Sequence, residues 1–331
     1  MKRRAVLLML VAGSIGVLAV APFVGSRDVS FDTVLRPGAD DWAASIFWKM
    51  RVPRALTGFL AGSSLALGGL AFQALFRNPL ATPFTLGVSS GASFGAVLCL
   101  RLGWTFSFAG VPSTVLAAFV GAVLCVLAVY GLVMSTGSFS TSRLLLAGVA
   151  VSFFFSSLIT LVHYTSGMLD NFRLMRWLMG GLAMSDYSAA LRLAPFTAGG
   201  ALLLGFLAHE LNLLATGEEL ALSRGVNVGR TRYTLFFATA LMEGSVVAVC
   251  GPIGFVGIMV PHMCRLALGT DHRYLLPASF LAGGAFLVLS DSIARTIAMP
   301  AEIPVGVITA LLGGPFFLWL LLGKSAGELE W

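Results

Sequence analysis

Charge is what this chain has least of: only 11% of its 331 residues are Asp, Glu, Lys or Arg, where a soluble globular domain carries about 25%. That deficit argues that lipid, not water, is the main solvent. Cysteine is scarce too. Cys99, Cys125, Cys250 and Cys264 sit in different apolar stretches with no C-x-x-C or Cys/His ligand spacing, so they read as packing residues. The four histidines, His163, His209, His262 and His272, give a structural metal site little to be built from, and none is expected. The formal charge of +6 is spread along the loops and does not suggest nucleic acid. A phosphate-binding loop is also missing. Gly323-Lys324-Ser325 looks like the end of G-x-x-x-x-G-K-[ST], but position 318 is Leu and the triplet follows an apolar span instead of a strand. Nucleotide hydrolysis must therefore come from a partner.

What is abundant is apolar surface: 57% hydrophobic residues, 38 glycines and a mean hydropathy of +0.91. These define an all-α, polytopic membrane protein. Runs of about 20 apolar residues, the length that crosses a hydrocarbon core of about 30 Å, fall at 5–24, 55–76, 87–103, 112–134, 143–164, 190–208, 233–250, 254–268, 275–297 and 305–323. About ten spans are expected in a single transmembrane domain, 1–331, with 254–268 the shortest. Lys and Arg divide almost evenly between the two sides, so the positive-inside rule barely discriminates. The cluster Met1-Lys2-Arg3-Arg4 before the first span favours a cytoplasmic amino terminus, and an even number of spans returns the carboxyl terminus there. A cleaved signal peptide ending at Ala19-Val20-Ala21 is the rival for residues 1–24. Pro22 directly after that site, and the length of the apolar run, favour a retained helix.

The most polar connection in the second half is residues 209–232. Within it Thr216 and Glu219 predict a T-x-x-E capping box, Gly225 a helix stop, and Glu218, Glu219 and Arg224 complement a helix dipole. Leu220, Ala221 and Leu222 supply its apolar content. A helix of one or two turns is unstable alone in water. Docking into a partner and packing on its own membrane domain are both open on this pattern.

Six further segments complete the picture: R-V-P-R at 51–54, F-R-N-P-L-A-T-P at 76–83, G-V-S-S-G-A at 87–92, T-S-R-L-L-L-A-G-V-A at 141–150, G-P-I-G-F-V-G-I-M-V-P-H at 251–262, and A-E-I-P-V-G-V-I-T-A-L-L-G-G-P-F-F at 301–317. With G-E-E-L-A-L-S-R-G-V at 217–226, they resemble the permease family of iron-siderophore, haem and vitamin B12 ATP-binding-cassette importers, over nearly the whole chain. The resemblance implies a type II importer permease fold of ten helices in the bacterial inner membrane. It also implies a homodimer with the path at its interface, two ATPase subunits that use ATP and Mg, and a periplasmic or lipid-anchored substrate-binding protein. The cargo would be a metal chelate: ferric siderophore, haem or cobalamin. No cofactor is expected on this chain.

Residues carry over one by one. Thr216, Gly217, Glu218, Glu219, Leu220, Ala221, Leu222, Arg224 and Gly225 match the element that couples to the ATPase, which favours docking. Arg51 and Arg295 match positions that present positive charge to the binding protein; snorkelling to headgroups is the plainer reading of each. Asn78, Pro79, Pro83, Gly87, Ser90 and Gly91 form the family's scaffold motif, and the loop they build is expected to be buried against the dimer, since irregular backbone at membrane depth needs cover from protein or a water-filled cavity. Spans five and ten would border the path. His163 and Tyr164 on span five, and Gly313, Gly314 and Pro315 on span ten, are candidates there, with a kink expected at Pro315. Small residues such as Gly58, Gly62, Gly68 and Gly69 predict close helix packing in span two. Glu243 departs from the family pattern: a mid-span carboxylate defaults to a functional reading, against a hydrogen-bonded structural role. An ion-coupled secondary transporter is the alternative, but it would normally pair ionisable groups, and Glu243 stands alone.

Overall fold

A computed structural model describes residues 2–25, 29, 31, 34, 42–135, 141–183 and 185–322. The Gly323-Lys324-Ser325 fragment, Met1 and the carboxyl terminus lie outside them. Each predicted span is a helix: α1 Lys2–Val20, α2 Val52–Phe76, α3 Val88–Arg101, α4 Ser113–Ser135, α5 Thr141–Thr165, α6 Tyr187–Phe206, α7 Val228–Cys250, α8 Val256–Leu268, α9 His272–Thr296 and α10 Val305–Leu322. Among the described residues seven helices are long and apolar enough to cross a membrane, while α3, α8 and α10 are shorter apolar helices. Between spans lie further short helices, among them Trp42–Ile46, which leads through a π-helical turn Phe47–Arg51 into α2, Met168–Leu178 after α5, and Ala208–Thr216 and Glu218–Ser223 after α6. A two-stranded antiparallel hairpin, Ser107–Phe108 with Val111–Pro112, joins α3 to α4.

Helix α2 is the centre of the bundle and packs against α6, α7, α8 and α9. Lipid tails give helices no hydrophobic reason to associate, so close backbone approach has to do that work. Gly62 lies against the backbone of Gly283 on α9, and Gly69 against that of Gly257 on α8; a side chain at either would collide with main chain. Gly58 faces Leu182 instead, and Gly68 makes ordinary contact with Pro83. Hydroxyls tie the same helix to its neighbours: Ser63 donates to Phe280 O (2.8 Å), and Ser64 lies 2.8 Å from the Thr197 hydroxyl.

On one flank α3 and α4 pair through Gly91, Gly95 and Gly121, each against the facing helix. Helix α5 closes this flank by packing on α3 and α4, yet it stays largely unburied, with Leu146, Phe153 and Phe154 pointing outward. Helix α10 presents Leu311, Leu318 and Trp319 in the same way. The helix continues through Pro315 to Leu322.

Candidate functional site: a hydroxyl-lined cavity between two charged or polar ends

The scaffold motif forms a loop that re-enters the protein between α2 and α3. Arg77 ends α2 in a left-handed conformation (φ 50°). Asn78 Oδ1 then accepts from Leu80 N at 2.9 Å, the side-chain turn asparagine favours. Pro83 caps a single 3-10 turn, Phe84–Leu86, and Gly87 (φ 84°) starts α3. Ala81, Thr82 and Leu86 are buried. The cover comes from this chain's own α4 and α5: Cys125 Sγ donates to Gly87 O (2.9 Å), and Gly87 backs onto Gly148 and Ser152. Pro79 is half-buried nearer the loop's entry.

That loop floors a cavity of about 710 Å³. Ser89, Ser90 and Ser93 of α3 and Ser156 and Thr160 of α5 contribute hydroxyls, and Gly306, Ala310 and Leu311 of α10 face them across it. Among the described residues no acid, base, histidine or cysteine lines it. Spans five and ten both border it, through different residues from those singled out. Gly313 packs under the Phe255 ring, and Gly314 has open space beside it. His163 Nδ1 is 2.8 Å from Asn171 Oδ1 at the outer end of α5, and Tyr164 is exposed. Neither they nor Pro315 line the cavity. Ser89 and Ser90 stood within the G-V-S-S-G-A segment; Ser93, Ser156 and Thr160 were missed because serine and threonine at helical spacing are common.

Glu243 is 3% exposed, away from the cavity, and its Oε1 has no hydrogen-bond partner among the described residues. It belongs to the packed interior of α7.

At the end of the bundle where α1 finishes and α2 begins, the arginines form part of a denser network. Arg51 donates to Pro22 O and Phe23 O (3.2 Å each), and Arg295 to Val24 O (3.0 Å) and Ala21 O (3.3 Å). Both guanidiniums are buried, 7% and 4% exposed as residues, and brace the end of α1. Arg54 holds Asp291 with a bidentate pair of 2.8 and 2.9 Å and reaches Glu302 at 2.8 Å. Arg295 also pairs with Asp291 (3.1 Å). Arg54, Asp291 and Glu302 went unnoticed in the sequence, although R-V-P-R and an acid four residues before Arg295 on one helix face could have signalled them.

At the opposite end the capping box does not form. Thr216 is the last residue of Ala208–Thr216, and its hydroxyl donates back to Leu213 O (2.8 Å). The chain is already helical when it reaches Thr216, so the hydroxyl is spent on that helix. Gly217 (φ 142°, ψ 149°) caps Glu218–Ser223 without a side-chain bond. The predicted stop is present: Val226 N donates to Ala221 O and Gly225 N to Leu222 O, both at 3.0 Å, with Gly225 at φ 81°, a Schellman ending. Glu218 pairs with Arg232 (2.9 Å). Ala221 is buried, whereas Leu220 (42%) and Leu222 (56%) are exposed beside Glu219 and Arg224.

A helical bundle in which seven of the described helices are long and apolar enough to cross a membrane, built around a cavity with no charged residue among its described lining and displaying a short helix at one end, has the architecture of a transport permease. The chain belongs to the FecCD transport family, whose pattern matches residues 8–323. It is 42% identical over 309 residues to the cobalamin import system permease protein BtuC of Halobacterium salinarum, covering 91% of this chain and 80% of that one. It is 38% identical over 303 residues to the hemin transport system permease protein HmuU of Yersinia pestis, covering 90% of each. A solved inward-facing conformation of a metal-chelate type ABC transporter superposes with a TM-score of 0.86 at 31% identity, covering 96% of this chain and 99% of that one.

Proposed function

We propose that this chain is the membrane subunit of an ATP-driven importer that moves a metal chelate into the bacterial cytoplasm. It works as a homodimer, with two ATPase subunits holding ATP and Mg and a binding protein delivering cargo from outside. The cavity carries this reading. Its described walls offer hydroxyls, aliphatic carbon, the Phe84 ring and the Met179 thioether but no charged side chain, which suits a cargo whose metal is already held by its own chelating ligand. Relatives named for cobalamin and hemin fall in that class. The ion-coupled alternative needs ionisable groups on the path, and the one mid-span carboxylate singled out from the sequence, Glu243, is buried elsewhere.

The exposed Leu220 and Leu222 support docking of Glu218–Ser223 into the ATPase. Amino and carboxyl termini are assigned to the cytoplasmic side on the same topology. Arg51 and Arg295 serve the binding protein by holding the outer rim in shape beside Arg54. Reversing both charges is expected to weaken binding-protein affinity at least tenfold, since each removes charge-assisted hydrogen bonds of about 1.5–3 kcal/mol; an unchanged titration would sink that role. For the whole reading, proteoliposomes holding this chain with its ATPase and binding protein should take up cyanocobalamin, hemin or a ferric siderophore only with ATP, and vanadate should stop uptake. Uptake driven by an ion gradient without ATP would favour the secondary transporter.

A further inference from the structure

One polar cluster joins the segment beside the coupling helix to a membrane helix, and nothing above uses it. Asn212 lies on Ala208–Thr216, one turn before Gly217. Both polar atoms of its side-chain amide bond to the start of α9. Nδ2 donates to Asp271 Oδ1 at 3.0 Å, and Oδ1 accepts from His272 N at 2.8 Å. His272 Nδ1 is also 2.8 Å from that oxygen. An amide oxygen can only accept, so the imidazole carries its proton on Nδ1. His272 is 1% exposed.

Asp271 is the N-cap of α9 and takes the Arg273 amide at 3.0 Å. Burial pushes its carboxyl up, but the bonds from Arg273 N and Asn212 Nδ2, with Arg273 and Arg3 nearby, outweigh that and hold it below the usual range. Arg3 of α1 lies 4.0 Å from Asp271 and over the Tyr274 ring. Helix α9 then continues for 25 residues, through Pro277 in its second turn, about 37 Å at the α-helical rise. Its far end carries Asp291 and Arg295, which bind Arg54 and the end of α1. A rigid element fixed by hydrogen bonds at both ends is the kind of connection that can pass a displacement between distant sites.

We infer that Asn212 is a positioning residue that clamps the coupling segment to the N-terminus of α9, so that α9 transmits movement between the ATPase side and the outer charge cluster. This rests on the docking reading of Glu218–Ser223. The clamp sits where a direct mechanical link needs it. Gly217, on the other side, is the only residue between the two short helices and holds a conformation that favours glycine, so displacement of the docked helix reaches the bundle through Ala208–Thr216.

The test uses the complete transporter in liposomes and reads ATP hydrolysis with and without saturating binding protein. Asn212→Ala is expected to keep its copurifying ATPase while the stimulation by binding protein falls roughly fivefold or more, the low end for coupling between sites. Asp271→Asn keeps one side-chain oxygen that can accept from both Asn212 Nδ2 and Arg273 N and should keep the wild-type ratio. If Asn212→Ala is stimulated as the wild type is, the clamp does not transmit. If it loses the ATPase, it acts on docking and the inference is overturned. A loss of stimulation in Asp271→Asn overturns the hydrogen-bond assignment. Leu222→Asp separates the two readings: retention of the ATPase by that variant overturns the docking on which the clamp depends, whatever Asn212→Ala does.

Discussion

A single side chain decides less here than where its neighbours put it. Glu243 reads from sequence either as a functional carboxylate, because a mid-span acid is costly, or as a structural one hydrogen-bonded between helices, the reading the sequence favours. In the fold it lies within the packed interior of α7, away from the cavity. Glu243→Gln is therefore expected to transport at close to the wild-type rate and to change stability by about 1 kcal/mol or less. Glu243→Ala, which leaves a void, should cost about 1–3 kcal/mol in a thermal-shift assay without changing which cargo is taken. A change in cargo preference with either variant would return Glu243 to the path. Glycine behaves differently. Gly62 and Gly69 were legible as packing residues, and the structure gives them main-chain partners on α9 and α8. Gly314, from the equally suggestive pair in α10, has nothing beside it within the chain.

Among the elements, helix positions were readable and helix ends were not. Apolar length alone located all ten spans, including the short α8. The stop at Gly225 was also legible, since a left-handed residue after a helix selects glycine. The start was misread because capping depends on what precedes the cap, and an eight-residue lead into Thr216 had already become helical. What survives is a helix with one buried alanine and two exposed leucines. Leu220→Asp with Leu222→Asp is expected to leave this chain in the membrane at normal yield and to abolish copurification of the ATPase, read by pulldown from detergent extract. Full retention of the ATPase would place the docking surface elsewhere.

For the molecule as a whole, the open face matters most. Helices α5 and α10 flank the cavity and leave Phe153 and Leu311 71% and 64% exposed. The cavity is thus open on this face, and the second copy of the proposed homodimer would complete its wall. Cysteines introduced at Phe153 and Leu311 should give a crosslinked dimer in oxidised membranes, seen on a non-reducing gel. The native thiols will not confuse that result, because all four are buried. Absence of any crosslink across this face would argue against a dimer that closes the cavity from α5 and α10.

The sequence by itself determined the membrane class, the ten helices, the family and the segments that carry its signature, because apolar length, charge deficit and ordered motifs are local properties. Only the tertiary structure decided which residues share a space. It turned five serine and threonine hydroxyls toward one cavity, joined Arg54 to Asp291 across 237 positions, and set Asn212 against Asp271 across 59. Those pairings depend on how deeply each helix sits and how it is rotated. Both are fixed by close packing at glycine contacts such as Gly62 with Gly283, and no stretch of sequence read alone contains both sides of such a contact.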